Sequence, residues 1–337
     1  MRLLENGREA GLAAAFAEKG YRVIAPVAAG EILRLAEWSS EKRLDLEGMP
    51  VNSLKDVFLP RSEVVGRAAL AGDDFELKAV EPAAPKTVVL GAKPCDAAAL
   101  AALDAVFNWD FRDGFFNARR AATAIVVSAC VRADGDCFCT SVGGKPDSTA
   151  GADAVLRPAD GGQKLVFEPL TDKGRFLSEA ASGVLREGTA AVDAPPQVPR
   201  RFDSRSVSGW LAKNFDSPLW MGLSLPCLGC GACAYACPVC HCFDLQDEAD
   251  PRETARYRNW DACGFGLFTL HAGGHNPRCD QSARWRQRVM HKLSYFPERF
   301  QTLACTGCGR CARLCQAGMS LAASAERIEA VSREEAA

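Results

Sequence analysis

The sequence predicts two unlike halves. Residues 1–195 read as an α/β (or α+β) domain, 196–204 as a linker, and 205–337 as a mainly α-helical domain organised around metal. Three observations predict this. Apolar, strand-like runs alternate with helix-forming stretches up to about residue 195. The stretch DAPPQVPRRFDS (193–204) carries three prolines and no periodicity, which marks a boundary. The sixteen cysteines are unevenly placed: four lie between Cys95 and Cys139, none from there to Cys227, and twelve from Cys227 to Cys315.

Taken in order, MRLLENGREAGLAAAF mixes Arg2, Glu5, Arg8 and Glu9 among apolar residues and reads as an amphipathic helix rather than a secretion signal. YRVIAPV (21–27) reads as a strand. KTVVLGAKP (86–94) is a β-branched run, and DAAALAALDAVF after it is a good helix former. AATAIVVSAC (121–130) is a second apolar run, too short for a firm helix. AVLRPAD and QKLVFEPL flank Gly161-Gly162 and read as a hairpin. TDKGRFLSEAASGVLREG reads as a helix capped by Thr171 or Asp172. Beyond the linker, WLAKNFDSPLW leads into the cysteine region, where the segment between Cys242 and Cys305 is polar with helical periodicity, as in SARWRQRVMHKLSYF.

The totals exclude several classes. The 337 residues carry a net charge of −2 and are 48% hydrophobic, enough to bury a core and with no electrostatic footprint for nucleic acid. No window approaches eighteen apolar residues, so no transmembrane helix is expected. These features place the chain in the cytoplasm, where disulfides are rare, and so many thiols then point to metal.

Spacing narrows the metal. Cys227, Cys230, Cys233 and Cys237 make C-x2-C-x2-C-x3-C, and Cys305, Cys308, Cys311 and Cys315 repeat it. This is the run of bacterial ferredoxins, in which three thiolates of a tight loop hold a [4Fe–4S] cube and the fourth reaches the other cluster. One assignment gives Cys227, Cys230, Cys233 and Cys315 to one cluster and Cys237, Cys305, Cys308 and Cys311 to the other; the alternative keeps each run on its own cluster. Gly229, Gly231, Gly307 and Gly309 suit such loops, because glycine permits positive φ and close backbone approach. Structural zinc, the competing reading, needs only C-x2-C pairs and leaves the third and fourth cysteines of each run unused. The first run ends in Cys237-Pro238, but the second ends in Cys315-Gln316, without the usual proline. The long insert between the runs suggests a mainly α-helical ferredoxin-like dicluster domain.

Cys95 follows one apolar run and Cys130 the other; if these are neighbouring parallel strands, both thiols fall at the sheet edge where α/β folds build sites. Cys137 and Cys139 lie just beyond, so these four are the candidate ligands of a third [4Fe–4S] cluster, set against the reading of buried or loop thiols. Cys240, Cys242, Cys263 and Cys279, with His241, His271 and His275, read as buried or supporting groups ahead of a further metal site. Arg278, Arg284, Arg286, Arg288, His291 and Lys292 form a basic stretch, either a solvated helix face or an offset to cluster charge.

No G-x-G-x-x-G, Walker A or H-E-x-x-H pattern is present, and no activated nucleophile with a partner base. No catalytic residue is assigned, and no flavin or NAD(P) is expected on this chain. Many redox centres without substrate chemistry describe an electron relay; the alternative is an enzyme with its own N-terminal substrate or nucleotide pocket near Cys95, fed by the clusters.

NFDSPLW, CLGCGACAYACPVCHCFD, NWDAC, AGGHNPR, RWRQRVMHK and CTGCGRCARLC occur in this order, preceded by GAKPCDAAAL and CFCTSVGG. Together they resemble the 4Fe–4S dicluster proteins related to the β subunit of sulfhydrogenase and to the iron–sulfur subunit of anaerobic sulfite reductase. The resemblance covers most of the chain. It implies an iron–sulfur subunit of a soluble complex, relaying electrons between a flavin subunit that handles NAD(P)H and a catalytic partner. That partner is a hydrogenase, a heterodisulfide-reductase-like module or a sulfite reductase. It also implies anaerobic metabolism.

Overall fold

The computed structural model describes residues 1–71, 74–249 and 253–336. Among them twelve strands form two sheets. In chain order they are β1 (Arg2–Glu5), β2 (Arg22–Ala29), β3 (Ile32–Glu37), β4 (Ser62–Ala71), β5 (Asp74–Lys78), β6 (Thr87–Ala92), β7 (Thr123–Ser128), β8 (Ala154–Ala159), β9 (Lys164–Pro169), β10 (Arg186–Glu187), β11 (Phe243–Ala249) and β12 (Glu253–Trp260).

The larger sheet has eight strands in the order β10-β1-β9-β8-β7-β6-β2-β3. Its centre, β2, β6, β7 and β8, is parallel, and the flanking pairs are antiparallel. Parallel neighbours need long crossovers, and helices Pro94–Phe107 and Gly114–Ala122 supply the one between β6 and β7. Both faces are covered. Leu12, Phe16 and Leu177 pack with Val88, Leu90 and Val126 on one side; Leu100, Leu103 and Phe116 pack with Val89, Ile125 and Val127 on the other. Every residue of TVVLGA and TAIVVS is buried, which is why these runs are apolar throughout instead of alternating. The β8–β9 hairpin turns at Gly161 and Gly162, both at positive φ. Thr171, not Asp172, caps helix Asp172–Ala180, accepting from the Gly174 N–H.

Two segments differ from the sequence reading. The first residues are not one helix: Leu3 and Leu4 are taken into β1, Gly7 turns the chain at φ +86°, and the helix begins at Glu9. Residues 243–249 and 253–260 are not helical either. They form the hairpin β11–β12, and β12 pairs with β4 to complete a four-stranded sheet ordered β11-β12-β4-β5. The polar composition that reads as helix surface is a strand with few neighbours: all seven residues of β11 are exposed. Cross-strand charge replaces apolar packing there, with Arg256 bidentate to Asp247 at 2.7 Å. Buried charge ties the sheet to the rest of the chain. Arg258 and Arg119 both bond Glu63, and Arg258 also bonds Asp113.

The second core is helical. Helices Ser204–Leu211, Gln281–Met290 and Leu321–Ala336 bring together Val207, Trp210, Trp285, Val289, Leu321 and Ile328. Phe138, from the N-terminal half, is buried in the same cluster.

Candidate metal centres

The two cysteine runs fold into near-copies of one loop. Gly229 and Gly307 have φ of +67° and +66°, and Gly231 and Gly309 have +74° and +73°. Each loop then enters a single helical turn, Ala232–Tyr235 in the first and Arg310–Arg313 in the second. The left-handed glycines fold the chain back so that successive thiols face one side.

Each loop contributes to both of two cavities. The first cavity is lined by Cys227, Cys230, Cys233 and Cys315, the second by Cys237, Cys305, Cys308 and Cys311. Each therefore gathers three cysteines of one run and the last of the other. Where proline is missing after Cys315, Gly318 closes the turn: at φ +68° its N–H donates to the Cys315 carbonyl at 3.0 Å, and the Met319 N–H donates to Cys315 Sγ at 3.3 Å.

A third cavity, of about 320 Å³, is lined by Cys95, Cys130, Cys137 and Cys139. Strands β6 and β7 are parallel neighbours, so Cys95 at the start of helix Pro94–Phe107 and Cys130 beyond β7 meet at one sheet edge. The loop carrying Cys137 and Cys139 lies on the second cysteine loop, backbone on backbone. The Phe138 N–H donates to the Gly307 carbonyl at 2.9 Å, and a Cβ on Gly307 would stand 2.5 Å from Cys139 Cα. Cys308 lines the second and third cavities alike.

Buried cations surround these thiols. Arg288 lines the first two cavities, donates to the Cys233 carbonyl at 2.9 Å and reaches Cys240 Sγ at 3.5 Å. Lys292 donates to Cys237 Sγ at 3.4 Å and to the Ala304 carbonyl at 2.8 Å. Burial works against the Lys292 charge, but Cys237 and Cys240 prevail and hold its pKa above the usual lysine range. Arg313 bonds both oxygens of Asp134 and reaches Cys137 Sγ at 3.3 Å; the Asp134 carboxyl is held at about 2, chiefly by that hydrogen bond. Gln281 Nε2 donates to Cys227 Sγ at 3.0 Å. Burial pushes the Cys130 thiol up to about 11 and Cys305 up to about 12. A metal entering such sites displaces protons and replaces a desolvated anion by a metal–sulfur bond.

The donor chemistry fits iron–sulfur cubes. The three cavities each offer at least four cysteine sulfurs, backbone curled by glycine, and nearby cations that offset thiolate charge.

The remaining candidates separate. Of the basic stretch, Arg288 and Lys292 are buried among thiols, while Arg286 stacks on exposed Phe215 at 3.8 Å. Cys279, His271 and His275 are exposed and line none of the three cavities. His241 is half-buried, with Nδ1 2.9 Å from the Val239 carbonyl. Several supporting residues escape sequence reasoning. Arg310, 1% exposed, is paired with Asp96 at 2.5 and 2.7 Å and donates to the Pro50 carbonyl at 2.8 Å. Lys93 spans to the Leu46 and Glu47 carbonyls. Asp96 and Arg310 each sit close to a cysteine in sequence, which is a weak signal; their pairing across 214 positions leaves none.

Residues 226–319 match the family model described as 4Fe-4S dicluster domain. That defines the class: an iron–sulfur electron-transfer chain with two [4Fe–4S] clusters in its C-terminal half. The chain is also 29% identical, over 240 residues, to sulfhydrogenase 2 subunit beta of Pyrococcus furiosus, covering 69% of this chain and 71% of that one. The two chains are thus similar over about two thirds of each. No solved structure matches it. No helix among the described residues is long and apolar enough to cross a membrane.

Proposed function

We propose that the chain is a three-cluster relay within a larger redox complex. Cys227, Cys230, Cys233 and Cys315 hold the first [4Fe–4S] cluster, Cys237, Cys305, Cys308 and Cys311 the second, and Cys95, Cys130, Cys137 and Cys139 a third. The observation that carries this reading is adjacency. Arg288 is common to the first and second cavities and Cys308 to the second and third, so the three sites stand in a row. When bound, the clusters supply one-electron transfer; the polypeptide holds their spacing, offsets their charge and excludes water.

Both ends of the row face outward. Cys230 is exposed, Leu228 beside it in the first cavity is 74% exposed, and Met221 and Leu225, just before it in the chain, are 72% and 82% exposed. Exposed apolar side chains next to a redox centre suit a partner subunit. At the other end Arg132 and Asp134 rim the third cavity. By similarity to the sulfhydrogenase subunit, one partner is a flavin subunit handling NAD(P)H. The other is a catalytic redox subunit: a hydrogenase, a heterodisulfide-reductase-like module or a sulfite reductase. The setting is the cytoplasm of an anaerobic metabolism.

One observation favours a second reading. The third cavity is also lined by Glu47, Lys93, Arg132, Asp134, Lys145 and Arg313, a convergence of polar groups that suits a small anionic substrate. The two readings separate on iron. Anaerobically purified protein carries about twelve irons as a three-cluster relay and about eight if the third cavity is a substrate pocket. Colourless protein containing zinc and silent in EPR after dithionite would overturn both.

A further inference from the structure

Besides its cysteines, the second cavity is lined by three polar side chains, Arg288, Lys292 and Thr306. Two of them are engaged. Arg288 donates to the Cys233 carbonyl and reaches Cys240 Sγ, and Lys292 donates to Cys237 Sγ and to the Ala304 carbonyl. Thr306 is not engaged: its Oγ1 is buried and has no hydrogen-bond partner in the chain. Arg288 Nε is a second such atom at this cavity, on a side chain whose other nitrogens are already held. A buried hydroxyl left unpaired is costly, and folded chains seldom leave one.

The two cysteine loops differ at this position. Cys305-Thr306-Gly307-Cys308 has the backbone of Cys227-Leu228-Gly229-Cys230, with the two glycines at φ +66° and +67°. Leu228 is 74% exposed, whereas the Thr306 hydroxyl oxygen is covered. Thr306 also lines a smaller cavity, of about 140 Å³, together with Cys95, Cys139 and Cys305. It therefore stands between the second and third cysteine sets. A threonine hydroxyl has one proton to donate, and the cysteines of both sets offer sulfur as the acceptor.

We propose that the Thr306 hydroxyl donates a hydrogen bond to a sulfur of the second [4Fe–4S] cluster and raises its reduction potential. The inference rests on Cys237, Cys305, Cys308 and Cys311 holding that cluster. Thr306 is a tuning group, not a ligand. Reduction adds one negative charge to the cluster, and a hydrogen bond to a sulfur strengthens as the charge on that sulfur grows. The reduced form gains more from the bond than the oxidised form, so the potential rises. Arg288 and Lys292 act through full charges. Thr306 acts through one directed dipole and leaves the net charge of the site unchanged. Leu228 offers the first cluster no such donor, so the bond biases an electron toward the second cluster, beside the third set.

The test uses full-length, cluster-loaded protein under anaerobic conditions, with EPR-monitored redox titration of the parent, Thr306→Val and Thr306→Ser. Thr306→Val keeps its iron, and the signal that Cys305→Ser abolishes is reduced at a lower potential. At a fixed poise its ratio of reduced to oxidised cluster falls at least threefold, or about 28 mV at about 59 mV per tenfold for one electron. The other dicluster signal stays in place, and Thr306→Ser returns the parent potential. ENDOR of the reduced cluster in H2O and D2O shows an exchangeable-proton coupling in the parent and in Thr306→Ser that Thr306→Val lacks. Equal potentials in the parent and Thr306→Val would overturn the proposal; that result is expected if water, not a cluster sulfur, takes the proton. If valine reduces cluster loading, Thr306→Ala carries the same expectation, and iron loss in both variants would also overturn it, because a group that only tunes a cluster is not needed to hold it. Failure of the ligand set is separate: Cys305→Ser would then retain all its iron.

Discussion

Gly229 and Gly307 occupy equivalent positions in the two cysteine loops and have the same backbone, φ +67° and +66°, so alanine at either meets the same left-handed strain, about 1–2 kcal/mol. Their surroundings differ. A Cβ at 229 would come within 3.3 Å of Gln281 Oε1, the end of a flexible side chain. At 307 it would come within 2.5 Å of Cys139 Cα, Cys139 N and the Phe138 carbonyl carbon, none of which moves without opening the loop that carries Cys137 and Cys139. Overpacking of that kind adds about 1–3 kcal/mol. Gly229→Ala should therefore cost about 1–2 kcal/mol and keep its iron, while Gly307→Ala should cost about 2–5 kcal/mol and lose about four to eight irons from the second and third sites. The assay is iron per chain after anaerobic purification, with the apparent thermal midpoint alongside, since bound clusters make unfolding other than two-state. Equal iron and equal midpoints in the two variants would refute the claim that the second and third sites share a wall.

Three further outcomes follow from the same geometry. Cys137→Ser should lose about four irons and leave the dicluster EPR signals in place; an unchanged iron count removes the third cluster. Arg288→Met should lower the midpoint potentials of the first two clusters without iron loss. A unit charge about 8 Å away at an effective dielectric near 20 contributes about 2 kcal/mol, or about 90 mV for one electron, and an EPR-monitored redox titration reads the shift. Arg310→Met should cost about 3–5 kcal/mol, because Asp96, 2% exposed, is left charged and unpaired beside Cys95 and Cys308; chemical denaturation checks it, and a loss under about 1 kcal/mol would mean the pair is dispensable.

The parts of the site legible in sequence were those fixed locally. Spacing of Cys227 to Cys237 and of Cys305 to Cys315 sets the loop conformation through four glycines, so both runs and their glycines can be read directly. The strands β6 and β7 are legible because burial on both faces forces apolar runs. Hairpin β11–β12 was not. Its side chains, such as Gln246, Asp247 and Arg256, carry little strand preference, and it exists because β12 pairs with β4, nearly two hundred positions earlier. Arg288 and Lys292 sat in a stretch whose composition suits a solvated face. Only the fold shows that these two turn inward to the thiols while Arg286 stays outside.

Beside the β4–β12 pairing, a second set of contacts joins the two halves between the second and third cysteine cavities. Phe138 is buried in the helical core, Gly307 is bonded to the backbone between Cys137 and Cys139, and Arg310, in the helical turn of the second loop, is locked to Asp96 beside Cys95. Each contact places a residue next to a cysteine of the third set against the loop of the second. A buried bidentate pair adds little as stability alone, since an apolar pair of the same volume often does as well. What it fixes is geometry, and electron transfer is steeply sensitive to separation. These contacts fix the junction between the second and third cavities, whereas Leu228 at the first cavity is 74% exposed. In the three-cluster relay proposed above, such contacts would hold the spacing between the second and third clusters.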